Sequence, residues 1–174
     1  MSERKELIIK RLQEEGAKTV EFFRSIPENN FQQQVYTTGP QWDARNLLAH
    51  FVSAERTFAF YGRDILNGGE GAPEDFVIDE FNETQVGRMK TASASDLIEQ
   101  FEEARASTIH LIESMSDADL DRVGRHPWFG KVPLENMLKL IYRHNMIHQR
   151  DIKKALETKQ PVPHVDVQPP SGNQ

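Results

Sequence analysis

Two histidines in the last third of the chain have the spacing of a shared metal site. His144 and His148 are four residues apart, so on an α-helix their side chains leave the same face one turn apart and can bind one ion. The apolar residues around them repeat at helical spacing, which predicts that both imidazoles face the core. Buried imidazoles need hydrogen-bond partners and resist protonation side by side, and a shared cation meets both demands.

A tight site needs at least a third ligand, and His50 is the best-placed candidate. It lies at the edge of the apolar face predicted for the helical segment around it. Three neutral imidazoles in a chain without cysteine suit zinc, nickel or another late divalent metal, with coordination positions left open for water or substrate. The pattern predicts a metal site of catalytic form at His50, His144 and His148. The alternative is that all three are hydrogen-bonded core residues that bind no metal.

Other polar and aromatic residues have structural interpretations that compete with functional ones. Asp151 could accept a hydrogen bond from an imidazole or be solvated, and solvation is favoured. Glu55 could be a ligand, a base or an ion-pair partner, and the ion pair is favoured. The amide of Asn145 needs partners within an apolar stripe, either backbone groups or something in the pocket, and backbone groups are the commoner. Trp128 and Phe129 could wall a pocket mouth or only anchor their loop.

The remaining histidines are not expected to belong to the site. His110 falls on the polar side of its predicted helix. His126 lies in a predicted loop, where it could close over the site, although a surface position is the simpler interpretation. His164 belongs to the proline-rich tail and is assigned no role.

The elements that must position these residues are amphipathic helices. Apolar residues repeat at helical spacing in four long segments, and a fifth, shorter segment has a weaker repeat. The long ones run from Ser2 to Ser25, Trp42 to Leu66, Ser95 or Asp96 to Ser116, and Leu134 to Leu156, and the short one from Val77 to Met89. Because no alternating strand pattern occurs, we predict an all-α four-helix bundle with a short extra helix. The segments 26–40 and 124–131 are expected to be loops, the first of them a long surface connection.

Composition limits the classes of protein to which the chain could belong. Its 174 residues fit one domain, predicted at residues 1–158, followed by a flexible Pro-rich tail at residues 159–174. The net charge of -6 opposes a nucleic-acid phosphate backbone, so nucleic acid is not an expected partner. No apolar run is long enough to span a membrane, and the N-terminus lacks the apolar centre of a secretory signal. A cytoplasmic protein is expected.

Three segments resemble the DinB-like superfamily, which includes the YfiT-type proteins and the N-terminal domains of mycothiol-dependent maleylpyruvate isomerases. Residues 42–50 (WDARNLLAH) resemble the opening of the family's second helix. Residues 129–133 (FGKVP) and 144–152 (HNMIHQRDI) resemble its loop and its H-x3-H stretch. The resemblance covers roughly residues 1–157. It implies an up-down-down-up bundle, a metal held by His50, His144 and His148, and a homodimer.

The same resemblance implies a metal-dependent transferase or isomerase that activates a low-molecular-weight thiol, or a hydrolase that activates water, for attack on a small-molecule substrate. Maleylpyruvate itself is not the expected substrate, because no counterpart of the isomerases' additional C-terminal domain is found in the sequence. The competing hypothesis is a stress-associated metal-binding or structural bundle without turnover.

Overall fold

The computed structural model describes residues 2–164, which contain five α-helices, two short 3-10 helices and one β-hairpin. The helices are α1 (Glu3–Ser25), α2 (Ala44–Leu66), α3 (Ile78–Arg88), α4 (Ala94–Ser114) and α5 (Leu134–Thr158). The antiparallel hairpin joins β1 (Val123–His126) to β2 (Gly130–Pro133). Within residues 2–164, none of the helices has the length and apolar character that a membrane span requires. The predicted all-α bundle with a short extra helix is confirmed, apart from the hairpin.

Side-chain caps determine where three of the long helices begin. Ser2 accepts a hydrogen bond from the backbone N–H of Lys5 at the start of α1. Asp43 opens α2 with a reciprocal capping box. Ser93 does the same for α4 through Asp96, so this helix begins slightly earlier than the sequence predicted. Each such cap stabilises its helix by about 1 kcal/mol, because it satisfies backbone N–H groups that have no partner inside the helix.

Helices α2 and α4 run parallel to each other. Arg45, near the start of α2, donates to the carbonyl oxygen of Ala92 at 2.9 Å, just before α4 begins. Arg63, near the end of α2, donates to the hydroxyl of Ser107 at 2.9 Å in the second half of α4. Contacts that advance together along both helices require the same chain direction.

Helices α1 and α5 run parallel to each other and antiparallel to that pair. Arg4 at the start of α1 forms an ion pair with Glu135 at the start of α5, with an N–O distance of 2.6 Å. Lys5 donates to the carbonyl oxygen of Glu113 at 3.0 Å, at the end of α4. The order is therefore up-down-down-up, as the resemblance implied.

A buried ion pair separates the two apolar clusters of the bundle core. One cluster includes Phe51 and Phe101, and the other includes Leu12. Between them, Arg105 donates to both carboxylate oxygens of Glu55 at 2.8 and 2.9 Å and to the carbonyl oxygen of Leu12 at 2.7 Å. The ion-pair role predicted for Glu55 is confirmed, and its partner is Arg105 of α4.

The predicted loop at 124–131 is a β-hairpin instead. Its strands pair from Val123 with Pro133 to His126 with Gly130. Arg125 also bonds to the distant loop after α2, since its N–H donates to the carbonyl oxygen of Glu70 at 2.6 Å. Strands of four residues each are too short to show an alternating pattern, so their pairing depends on neighbours that the local sequence does not reveal.

The segment between α1 and α2 is more buried than its polar composition indicated. Val35 and Tyr36 are fully buried, and the N–H of Val35 donates to the carbonyl oxygen of Trp42 at 2.9 Å. Val162, from the predicted tail, donates to the carbonyl oxygen of Val35 at 2.8 Å and is itself buried. The first residues of the predicted tail therefore pack against the segment between α1 and α2. The rest of the predicted tail, residues 165–174, lies outside the described residues. The domain boundary at residue 158 stays a prediction.

Candidate metal centre

The structure brings the three predicted histidines together between α2 and α5. The Nε2 atom of His144 lies 2.9 Å from that of His50 and 3.1 Å from that of His148. One ring nitrogen from each residue lies within 4.8 Å of the other two. Nitrogens that share a tetrahedral ion at about 2.0 Å lie about 3.3 Å apart. The donor set and its spacing therefore fit a late divalent cation.

The antiparallel packing of α2 against α5 positions these rings. His144 and His148 lie one turn apart on α5, and their ring centroids are 4.6 Å apart. His50 projects from the first half of α2, where its ring packs on Trp42 at a centroid distance of 4.9 Å. Phe51 lies 6.2 and 6.1 Å from the rings of His144 and His148. The capped start of α2 thus delivers the third histidine to the pair.

All three imidazoles are held in the neutral form. Burial lowers the pKa of His144 to about 4. Burial, followed by the nearby rings, lowers the pKa values of His50 and His148 well below the usual range. Neutral imidazole is the form that binds metal ions. At pH 7 the site offers lone pairs without protons to displace.

His148 is oriented by a hydrogen-bonded chain that ends on a carboxylate. Its Nδ1 atom lies 2.6 Å from the hydroxyl of Tyr36, which in turn donates to Asp151 at 3.2 Å. If Nε2 binds a metal, Nδ1 carries the proton and donates to Tyr36. Asp151, whose side chain is 13% exposed, therefore acts on the imidazole through Tyr36 and is not simply solvated. Tyr36 was missed because nothing local marks a tyrosine in a polar stretch as a partner of His148.

Tyr36→Phe is expected to weaken metal binding by about tenfold to a hundredfold, since it removes the group that holds His148 in orientation. Chelator competition measures the dissociation constant. Tyr142→Phe is the matched control, because Tyr142 packs against the other apolar cluster. Equal metal affinity in the Tyr36 variant and the wild type would show that the hydroxyl does not orient the ligand.

The Nδ1 atoms of His144 and His50 have weaker hydrogen bonding than that of His148. The Nδ1 atom of His144 lies 3.4 Å from the Oδ1 atom of Asn145, a contact at the limit of hydrogen bonding. Within residues 2–164, the Nδ1 atom of His50 and the Nδ2 atom of Asn145 are buried without a partner. The favoured interpretation of Asn145 was a backbone partner for its amide, and the amide nitrogen finds none among these residues.

A cavity of about 450 Å³ opens from the histidine cluster, and His50, His144 and His148 form part of its lining. Most of the remaining wall is apolar, and its aromatic members are Trp42, Phe58, Tyr61, Phe76, Phe81, Trp128 and Phe129. Trp128 and Phe129 therefore wall a pocket, the first of the two interpretations that their sequence allowed. A small organic molecule fits a space of this volume.

Two histidines that were not expected at the site also line this cavity. His126 is 8% exposed, so the predicted surface position is wrong. The ring of His164 lies 4.6 Å from that of Tyr36 and 6.0 Å from that of His148, although the residue was assigned no role. His110, by contrast, has a side chain that is 87% exposed, as expected.

Comparisons with known proteins agree with this architecture. The model of the DinB superfamily matches residues 11–152. Among curated proteins, none matches the sequence significantly. Similarity to solved structures is at the level of the fold, because the sequence identities are below 20%.

Three of these structures illustrate the range of proteins that share the fold. YfiT from Bacillus subtilis, described as a probable metal-dependent hydrolase with an unusual four-helix bundle topology, has a TM-score of 0.72 and 19% identity, over 92% of this chain and 91% of its own. The mycothiol-dependent maleylpyruvate isomerase has a TM-score of 0.72 and 15% identity over 87% of this chain. The colibactin self-resistance protein ClbS, solved with double-stranded DNA, has a TM-score of 0.68 and 15% identity, over 86% of this chain and 95% of its own.

The chain spans 63% of the length of the isomerase, so the two are similar over part of the larger protein. The family model, in contrast, extends from the first half of α1 into α5 and includes all three clustered histidines. This chain belongs to the DinB superfamily.

Proposed function

We propose that the protein is a metal-dependent enzyme in which His50, His144 and His148 hold a divalent cation, with zinc and nickel as the leading candidates. Its reaction is the attack of a low-molecular-weight thiol, or of water, on an electrophilic small molecule. We also propose that the protein is a homodimer, that it is located in the cytoplasm and that it does not bind nucleic acid.

The observation that carries the proposal is the position of the histidine cluster in the wall of a cavity. A purely structural metal site is closed by protein ligands on all sides, whereas a catalytic site keeps a position open. Here three imidazoles supply three ligands, and the cavity of about 450 Å³ reaches them. The cation would supply a Lewis acid that makes a thiol or a water more acidic, and so a better nucleophile at neutral pH.

The chain's own residues have three tasks in such a reaction. The neutral imidazoles present their Nε2 lone pairs toward one point. Tyr36 and Asp151 keep the proton of His148 on Nδ1. The aromatic wall excludes water and favours an apolar reactant close to the nucleophile.

The water alternative has separate support. The solved structure of YfiT is described as a probable metal-dependent hydrolase, and this chain covers 91% of it. The isomerase, which depends on mycothiol by its name, supports the thiol alternative over a smaller share of its length.

Turnover assays on untagged protein test the proposal. Thiol transfer is measured with glutathione and other small thiols against 1-chloro-2,4-dinitrobenzene, where a carbon–sulfur bond forms and chloride leaves. Hydrolysis is measured with 4-nitrophenyl acetate. We expect one of the two activities, its loss on chelation and its return when zinc or nickel is added.

Two outcomes would contradict this proposal. Activity that is unchanged by complete removal of the metal would exclude a role for the cation. Stoichiometric metal with no turnover in either assay would favour the alternative of a non-catalytic bundle. In that alternative the cation only ties α2 to α5, and its removal lowers the melting temperature without any catalytic consequence.

A further inference from the structure

His126 is held in the cavity wall by the turn of its own hairpin. Its Nδ1 atom accepts hydrogen bonds from the backbone N–H groups of Trp128 at 3.1 Å and Phe129 at 3.2 Å. Its ring also packs against two aromatic rings, with centroid distances of 5.3 Å to Phe58 and 5.2 Å to Phe129. The side chain is therefore held by its hydrogen bonds and by ring packing, and it is largely buried.

These contacts determine the tautomer of His126. A backbone N–H can only donate, so Nδ1 must present a lone pair to both of its partners. The proton of the neutral ring is then on Nε2. Burial and the nearby His144 lower the pKa of His126 to about 4, so the neutral ring predominates at pH 7. The hairpin thus presents a permanent N–H donor.

That donor is available to a ligand. Nδ1 is occupied by the turn, and Nε2 has no hydrogen-bond acceptor among the described residues. It is also not one of the fully buried polar atoms that lack a partner. Because the ring lines the same cavity as the histidine cluster, Nε2 is the nitrogen left to face the cavity.

The surrounding wall determines what kind of molecule would present the acceptor. Phe58, Tyr61, Phe76, Phe81, Trp128 and Phe129 line the same space. Aromatic side chains pack well against flat apolar groups, and a few fixed polar groups in such a wall set the orientation of the ligand.

We propose that His126 is a substrate-binding residue, whose Nε2–H donates to an acceptor oxygen of an electrophile that has a flat apolar body. This proposal rests on the proposed function for the identity of the reaction. It adds the substrate class, a carbonyl-type oxygen on an aromatic or similarly flat group, and the residue that orients it.

A matched pair of probes isolates the hydrogen bond. 2-Acetylnaphthalene and 2-isopropenylnaphthalene have nearly the same shape, but only the first carries an acceptor oxygen. Their dissociation constants with the metal-loaded protein are measured by titration. We expect the acetyl probe to bind about fivefold tighter than its hydrocarbon analogue, once the difference in their transfer from water is subtracted. Equal corrected affinities would overturn the proposal.

His126→Asn is the matched variant. An asparagine oxygen can accept the same two backbone N–H groups and so preserve the turn, but it places no donor at the position of Nε2. We expect this variant to keep its metal and to bind the hydrocarbon as the wild type does, while losing the preference for the acetyl probe. A preference that survives in the variant would assign the effect to another group, such as the cation, and overturn the proposal.

The tautomer has its own test, which remains informative if the variant fails to fold. Long-range nitrogen–proton NMR of the wild-type imidazoles should show His126 protonated on Nε2 and not on Nδ1. The opposite tautomer would remove the donor and contradict the proposal. The probe titrations and the NMR measurement do not depend on turnover. They can therefore support the role of His126 even if neither activity under the proposed function is found.

Discussion

His148→Ala is expected to abolish metal binding at the site and, with it, the proposed turnover. His148 supplies one of three clustered nitrogens, and its hydrogen bond to Tyr36 holds the ring in position. Removal of a ligand should reduce the metal affinity by more than the tenfold to hundredfold that is lost when a group that orients a ligand is removed. The metal content of untagged protein, measured by elemental analysis, should fall from near one metal per chain to trace amounts.

His110→Ala is the control for this variant. It removes a histidine whose side chain is 87% exposed on α4, so the metal content and turnover should match the wild type. Circular dichroism of both variants establishes that the bundle is intact. Equal trace amounts of metal in the His148 variant and the wild type would mean that the histidines are core residues without an ion.

Glu55→Ala is expected to lower the free energy of unfolding by about 3–5 kcal/mol, a large part of the stability of a domain of this size. The substitution leaves Arg105 with a buried charge, because its side chain is 6% exposed and its two hydrogen bonds to the carboxylate disappear. The remaining bond to the carbonyl oxygen of Leu12 does not neutralise that charge. Urea denaturation monitored by circular dichroism measures the loss.

Glu102→Ala is the matched control on the surface. Glu102 pairs with Arg24 at 2.8 Å, but both side chains are largely exposed, at 44% and 60%, so the loss should be below about 1 kcal/mol. Comparable losses in the two variants would show that Arg105 finds water or another acceptor when Glu55 is removed. The buried pair would then contribute no more than an exposed one.

The long helices and the histidine pair could be predicted because their signals are local. The apolar repeat of α5 and the spacing of His144 and His148 are both visible within one segment. The apolar face of α2 placed His50 toward the same core. Ser93 opens α4 just before the predicted start, because several polar residues there can cap a helix and only the backbone shows which one does.

The residues that complete the site could not be predicted because their roles depend on distant partners. Tyr36 is buried only because the bundle and Val162 cover its segment. His126 enters the cavity wall because β1 pairs with β2 and with Gly71. Neither strand is long enough to carry a periodic signal. The identity of the thiol, the electrophile and the cation depends on chemistry outside the chain, and imidazole ligands accept several metals.

Anomalous scattering from crystals of untagged protein, recorded at the zinc and nickel absorption edges, tests the central claim most directly. We expect one peak per chain at about 2.0–2.1 Å from the Nε2 atoms of His50, His144 and His148. Two results would contradict a metal site at these residues. One is the absence of a peak between the three Nε2 atoms after growth in either metal, and the other is a peak that lies only at other residues.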